Sequence, residues 1–307
     1  MRYKIRQILF TPLLMFSCRF ALHGQVPDTL PFMITLDSVT IEEVRSGFKV
    51  NDFIEFVERD TTFYAAFRNL RRVNYNSRAL VRMFDDENLS KASYTNITTQ
   101  TVSNKCRSMQ FSFESATGDF FDKHGAMNYY TARVFSYIFL YRDTICNNYV
   151  VTDNNAGTDS KLEQRKEQLK TLIFQPGKPV DGIPLIKNKM AIFSEEMSGY
   201  YDYKIESKKY TTGVDCYVFT VQKKPETKSE DVVITNLTTW FDKKTMRIVS
   251  RQYNLSYASA IFDFDVQMDV RLSYINGYLI PSFIKYDGYW DIPLRKPEVG
   301  SVEIFVW

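Results

Sequence analysis

Nucleophilic catalysis of the Ser-His-Asp or Cys-His kind requires an imidazole. This 307-residue chain has two histidines, His23 and His124. His23 falls in a stretch with the layout of a secretory leader, which leaves His124 in "FFDKHGAMNYY". It sits before a glycine and just ahead of a predicted helix, the place of a loop or capping histidine. A zinc site of the usual His/Cys kind lacks ligands. Glycine is scarce, 12 in all, and forms no phosphate-cradling loop. Asp263, Asp265 and Asp269 share a strand, where successive same-face side chains lie about 7 Å apart. Calcium needs oxygens converging on one point, so these acids read as a solvated ladder paired with Lys or Arg of the next strand. The 36 acidic residues leave a carboxylate-based hydrolase open, but no spacing singles out one pair. The expectation is therefore no catalysis, no metal and no cofactor.

The four cysteines are Cys18, Cys106, Cys146 and Cys216. With Cys18 in the leader, three remain at wide spacing, which is not a disulfide framework. One bridge is possible in an oxidising compartment, with no pair favoured; buried free thiols are the alternative. The leader itself is "MRYKIRQILFTPLLMFSCRFALHGQVPD", with a basic start, an apolar centre and a small residue at Gly24. Residues 1–25 are assigned to it, and the protein is expected to be exported, to the periplasm or to the outer membrane. Lipid attachment at Cys18 is a rival, weakened by bulky Phe16. No run is apolar for the ~20 residues that a spanning helix needs. The net charge of +3 comes without a Lys/Arg cluster, which argues against a nucleic-acid partner.

These residues need elements to hold them. "NDFIEFVERD" and "TTFYAAFRNLRR" read as two short helices joined near Asp60, the first with Asp52 and Glu55 as a capping box. "SRALVRMFDD" and the stretch from Thr95 to Glu114 read as strands, with Met109, Phe111 and Phe113 on one face. "AMNYYTARVFSYIFLYRDT" is a helix with aromatic residues nearly all round, hence buried on most sides. "TDSKLEQRKEQLKTLIF" is a surface helix stopped by Pro176 and Gly177. "QPGKPVDGIPL" is a linker or a loop at a cavity. Beyond Tyr200 strand follows strand, with turns at Gly213, Lys243-Lys244 and Asn276-Gly277. Phe262, Phe264, Val266, Met268, Val270 and Leu272 share one side of their strand, and Asp, Gln, Arg and Ser the other. Such a sheet has one dry face, and the aromatic helix is its natural cover. The fold class is α+β, an antiparallel β-sheet with helices on its apolar face. A mixed part (26–175) and a meander (176–307) form one continuous domain. A membrane β-barrel fits the alternation and the terminal Trp307, but not the amphipathic helices.

"VTIEEVRSGFKVNDFIEFVERDTTFYAAFRNLRR", "FQPGKPVDGIPLIKNKMAIFSEEMSGYYDYKIES" and "TTWFDKKTMRIVSRQYNLSY" together resemble an exported protein family of Bacteroidota, over nearly all of the mature chain. More distantly, "DCYVFTVQKK" and "TTWFDKKTMRIVSRQY" are similar to the LolA-like lipoprotein-carrier fold. That resemblance implies a curved sheet forming an incomplete barrel, with helices on its concave side and acyl chains held between. This chain departs from it in its long N-terminal helical segment and larger middle portion. The implied partner is a lipid or lipoprotein acyl chain. The lining would come from Phe262, Phe264, Met268 and Val270 on the sheet and Phe135 and Phe139 on the helix. Trp240 and Trp290 would rim the mouth. The competing expectation is a solid core, in a structural or assembly partner of an outer-membrane protein.

Overall fold

Alternating side chains favour strands, because a pleated backbone sends successive residues to opposite faces. The computed structural model describes residues 39–41, 50–142, 144–146, 173–179, 186–259, 263–291 and 295–307. The leader region and most of the predicted surface helix lie outside these residues. Of that helix only Ile173 and Phe174 are described, and both are buried.

The strands are β1 (Val39–Ile41), β2 (Tyr75–Phe84), β3 (Ser90–Ser103), β4 (Cys106–Gly118), β5 (Ile145–Cys146), β6 (Tyr201–Lys209), β7 (Asp215–Lys223), β8 (Ile234–Asp242), β9 (Ile248–Ala258), β10 (Asp263–Ile275), β11 (Tyr278–Asp291) and β12 (Glu298–Val306). They form one open sheet in the order β1-β6-β7-β8-β9-β10-β11-β12-β2-β3-β4-β5. Among the described strands, only β1, beside β6, is parallel to its neighbour. From β6 to β12 the chain runs as the predicted meander. β2 then pairs with β12, so strands from both sides of Pro176 share the sheet. The Asn276-Gly277 hairpin turn has φ 49° and 80°, both in the region that glycine and asparagine tolerate best.

The β10 alternation is realised. Phe264, Val266, Met268, Val270 and Leu272 are buried, while Asp265, Gln267 and Arg271 are exposed. A membrane barrel would close and turn its apolar face outward. Here β1 and β5 are separate edges and the outer face of β10 is polar. The sequence predicts ion pairs between the acids of β10 and a Lys or Arg of the next strand; among the described residues they make none. Asp269 meets Arg271, two residues along its own strand, at 3.2 Å, and Lys285 meets Asp287 on β11 at 3.2 Å. Side chains two apart share a face, so the ion pairs run along the strand, while across it Asp269 accepts from Gln252 of β9 at 3.5 Å.

Two other expectations change. Phe111 pairs with Thr98 and Phe113 with Ile97, so Ser112 is an extra residue in β4. This bulge moves Phe113 to the outer face, where it is 47% exposed, while Met109 stays buried. Helix α1 (Val50–Arg59) begins two residues before Asp52, so Asp52 is not its cap. Glu55 pairs instead with Arg59, one turn on.

Helix α2 (Thr62–Asn69) follows after a two-residue corner, and α3 (Tyr130–Phe139) is the predicted aromatic helix. Phe53 of α1 lies against Phe219 of β7 at 5.8 Å and Phe241 of β8 at 5.5 Å. Phe63 of α2 meets Tyr253 of β9 at 6.3 Å, and Asn69 donates to the Leu279 carbonyl of β11 at 2.9 Å. Phe135 of α3 meets Tyr286 of β11 at 4.9 Å. The first turn of α3 is capped from outside: Glu298 of β12 accepts from the Tyr130 and Thr131 N–H groups at 2.7 and 2.9 Å. A carboxylate there satisfies orphan donors and complements the helix dipole. Cys106 and Cys146 are bridged, joining β4 to β5, and Cys216 is a buried free thiol.

Candidate ligand-binding site

The residues named from the sequence occupy three places. Phe264 stacks on Trp290 at 5.0 Å, with Met268 and Val270 buried on the same strand. Phe135 and Phe139 stack on each other at 6.1 Å. These groups fill core. Phe139 also borders a gap of about 30 Å³ beside Phe67 and Phe174, room for roughly one water. Trp240 is not with them. It precedes Phe241 on β8, so it points to the opposite face, where its ring meets Tyr210 at 5.2 Å. Phe262 lies outside the described residues.

The larger space is at the α1–α2 corner. A cleft of about 300 Å³ opens between that corner, residues 174–178 and the inner face of β8 and β9. This is the small end of the range for small-molecule pockets. Val57, Phe63, Phe174, Phe193 and Leu237 supply its apolar wall. Glu58, Asp60, Arg68, Lys178 and Arg251 supply its charges.

Local chemistry sets this geometry. Asp60 accepts from the Thr62 N–H at 3.2 Å, the Thr62 hydroxyl at 2.6 Å and the Phe63 N–H at 3.4 Å. These bonds start α2 immediately after α1 ends and fix where Phe63 enters. The Phe174 ring lies 4.5 Å from Phe67 on α2. Tyr253 donates its hydroxyl to the Ile173 carbonyl, and Lys178 donates to the Glu58 carbonyl. Both bonds tie the 173–178 segment down over the corner. Gly177 makes the turn between them with φ +95°, a backbone state that side-chain-bearing residues rarely adopt. The stretch "QPGKPVDGIPL" thus contributes Gln175 to Lys178 to a cavity wall; residues 180–185 lie outside the described part.

Arg251 is the unusual group. Ile248 and Ser250 are buried at the start of β9, Tyr253, Leu255 and Tyr257 along its second half, and Arg251 shares the parity of these last three. It is accordingly 6% exposed. Its Nε donates to the Thr239 hydroxyl at 3.0 Å, and the guanidinium carbon sits 4.4 Å from the Phe63 ring centre. It has no ion pair among the described residues at 4.0 Å or less. Burial pulls its pKa down to about 10, with the more distant Asp60 opposing that shift. It therefore stays charged at neutral pH. The signal for it was present in the sequence, an arginine two residues before the alternating Tyr253, Leu255 and Tyr257.

His124 is exposed in a loop, its backbone N–H bonded to Asp122 at 2.8 Å, and does not line the cleft. Among the described residues no three His, Cys, Asp or Glu side chains gather in a way that could hold a metal ion. Tyr94, Glu114 and Arg142 form a separate cluster. Arg142 holds the Glu114 carboxyl below its usual range, and Tyr94 donates to it at 2.5 Å.

No protein-family model and no curated protein matches the chain. Among solved structures, a DUF1329 family protein from Desulfovibrio piger aligns at 9% identity over 81% of this chain and 92% of its own, with TM-score 0.22. A domain described as outer membrane lipoprotein-sorting, from Vibrio parahaemolyticus, aligns at 8% over 79% and 88%, with TM-score 0.27. A LolA superfamily protein from Nitrosomonas europaea aligns at 10% over 80% and 92%, with TM-score 0.21. Superpositions this loose decide neither fold nor function.

Proposed function

We propose that this chain is an exported envelope protein that binds an apolar, acyl or lipid-like, ligand without catalysis. In this reading the sheet curves as an incomplete barrel and α1, α2 and α3 roof its apolar face. The observation that carries it is the cleft of about 300 Å³, walled by Phe63, Phe174, Phe193 and Leu237, whereas Phe264 and Trp290, and Phe135 and Phe139, are stacked against each other. Apolar burial at roughly 25 cal/mol per Å² would drive binding. The ligand site moves from the α3–β10 contact expected from sequence to the α1–α2 corner, because rings fill the former. The Cys106–Cys146 bridge supports export, since disulfides persist in oxidising compartments.

The test uses an uncharged environment-sensitive dye, N-phenyl-1-naphthylamine. Ala65 lines the cleft from α2 and is part-exposed, so a larger side chain there fills the cleft without opening the core. The wild type is expected to bind the dye saturably and Ala65→Trp to bind it at least about tenfold more weakly, a loss of ~1.4 kcal/mol. Equal binding by both would remove the cleft as the site.

A structural or assembly role is the second reading, favoured by one observation. Phe283 and Phe305 pair on the outer face at 4.9 Å, and Phe305 and the nearby Trp307 are 44% and 57% exposed. Co-purification with an outer-membrane protein, lost in Phe305→Asp, would favour it over ligand binding.

A further inference from the structure

We infer that Arg251 is the receptor for a single anionic head group, carboxylate or phosphate, on the amphiphile held in the cleft. This rests on the cleft reading and adds the chemistry of the ligand's polar end. A guanidinium has five N–H donors. One is taken by Thr239, and the flat face is covered by Phe63. A buried charge is costly unless it is paired and hydrogen-bonded. Asp60 is the acid that most influences Arg251, but its oxygens are already engaged with the start of α2. Glu58 is the other acid in the cleft, against the cations Arg68, Lys178 and Arg251. The cleft is therefore left with a positive excess of one, and its one deeply buried charge is the arginine. Phe63, Phe174 and Phe193 border the same space, so a chain attached to the head group would lie against rings. Arginine is suited to such a head group, because its planar fork binds carboxylate and phosphate through two parallel bonds.

The experiment compares cis-parinaric acid with its methyl ester, which keeps the chain and removes the charge. The full-length protein, Arg251→Gln and Arg251→Lys are titrated by fluorescence. The wild type is expected to prefer the acid by about tenfold to a hundredfold, the range of a charge-assisted hydrogen bond. The preference should fall to about one in Arg251→Gln and recover in part in Arg251→Lys. Displacement of the acid by dodecanoate or by dodecyl phosphate then shows which head group the site takes. If Arg251→Gln does not fold, the wild-type ratio and Arg251→Lys still decide the matter. Equal affinity for acid and ester in the wild type, or a preference that survives in Arg251→Gln, overturns the anion receptor and leaves the apolar cleft standing. Binding of neither probe overturns both.

Discussion

Phe53→Ala is expected to lower the free energy of unfolding by about 3–5 kcal/mol. The Phe53 ring is 2% exposed and sits among Phe56, Tyr217, Phe219 and Phe241, with centroids 5.5–6.1 Å away. Truncation removes apolar burial and leaves a hole that four rings on two helical and sheet layers close poorly. The loss of edge-to-face contact with Tyr217 and Phe241 adds to it, at roughly 0.5–1.5 kcal/mol for each aromatic pair. Urea unfolding should show a lower midpoint with an unchanged slope. Because α1 leads directly into the Asp60 corner, the same variant should weaken dye uptake before it unfolds. A midpoint within experimental scatter of the wild type would mean that α1 is not anchored through this ring.

Reduction of the Cys106–Cys146 bridge is expected to cost about 4 kcal/mol, from the loop-closure entropy of its 40-residue separation. The two cysteines are direct partners in the β4–β5 ladder, so the native state needs no rearrangement to accommodate the bond. Cys216 does not confuse the measurement. It is buried, and burial first, then Asp242 and Asp215, push its thiol up to about 11, which keeps it protonated and unreactive at neutral pH. Urea midpoints with and without reductant should differ, and Cys106→Ser with Cys146→Ser should match the reduced protein. An unchanged midpoint would place the bridge outside the cooperative unit.

The meander was legible because its alternation and turns agree: Phe264 to Leu272 face one way and Asn276-Gly277 reverses the chain. The two helices flanking Asp60 and the aromatic α3 were legible from their spacing. What was not legible depends on contacts between distant parts. β2 joins the sheet beside β12, across more than two hundred residues of sequence, and no local pattern encodes that pairing. Glu298 caps α3 from a strand for the same reason. The bulge at Ser112 turned Phe113 outward although the sequence alternates without a break. The cleft was not legible because an apolar face marks where burial occurs, not where packing leaves space. Phe264, Trp290, Phe135 and Phe139 found ring partners, whereas the corner at Asp60 left a cleft beside a buried arginine. Arg251 shares the parity of Tyr253, Leu255 and Tyr257, a signal that a search for apolar residues passes over.

Native mass spectrometry of the protein, purified from an exporting cell without detergent, tests the central claim most directly. The account predicts a species heavier than the chain by one amphiphile, released by organic extraction, restored by incubation with a long-chain acid, and absent in Ala65→Trp. A single mass equal to the bare chain, before and after incubation with such acids, would contradict it.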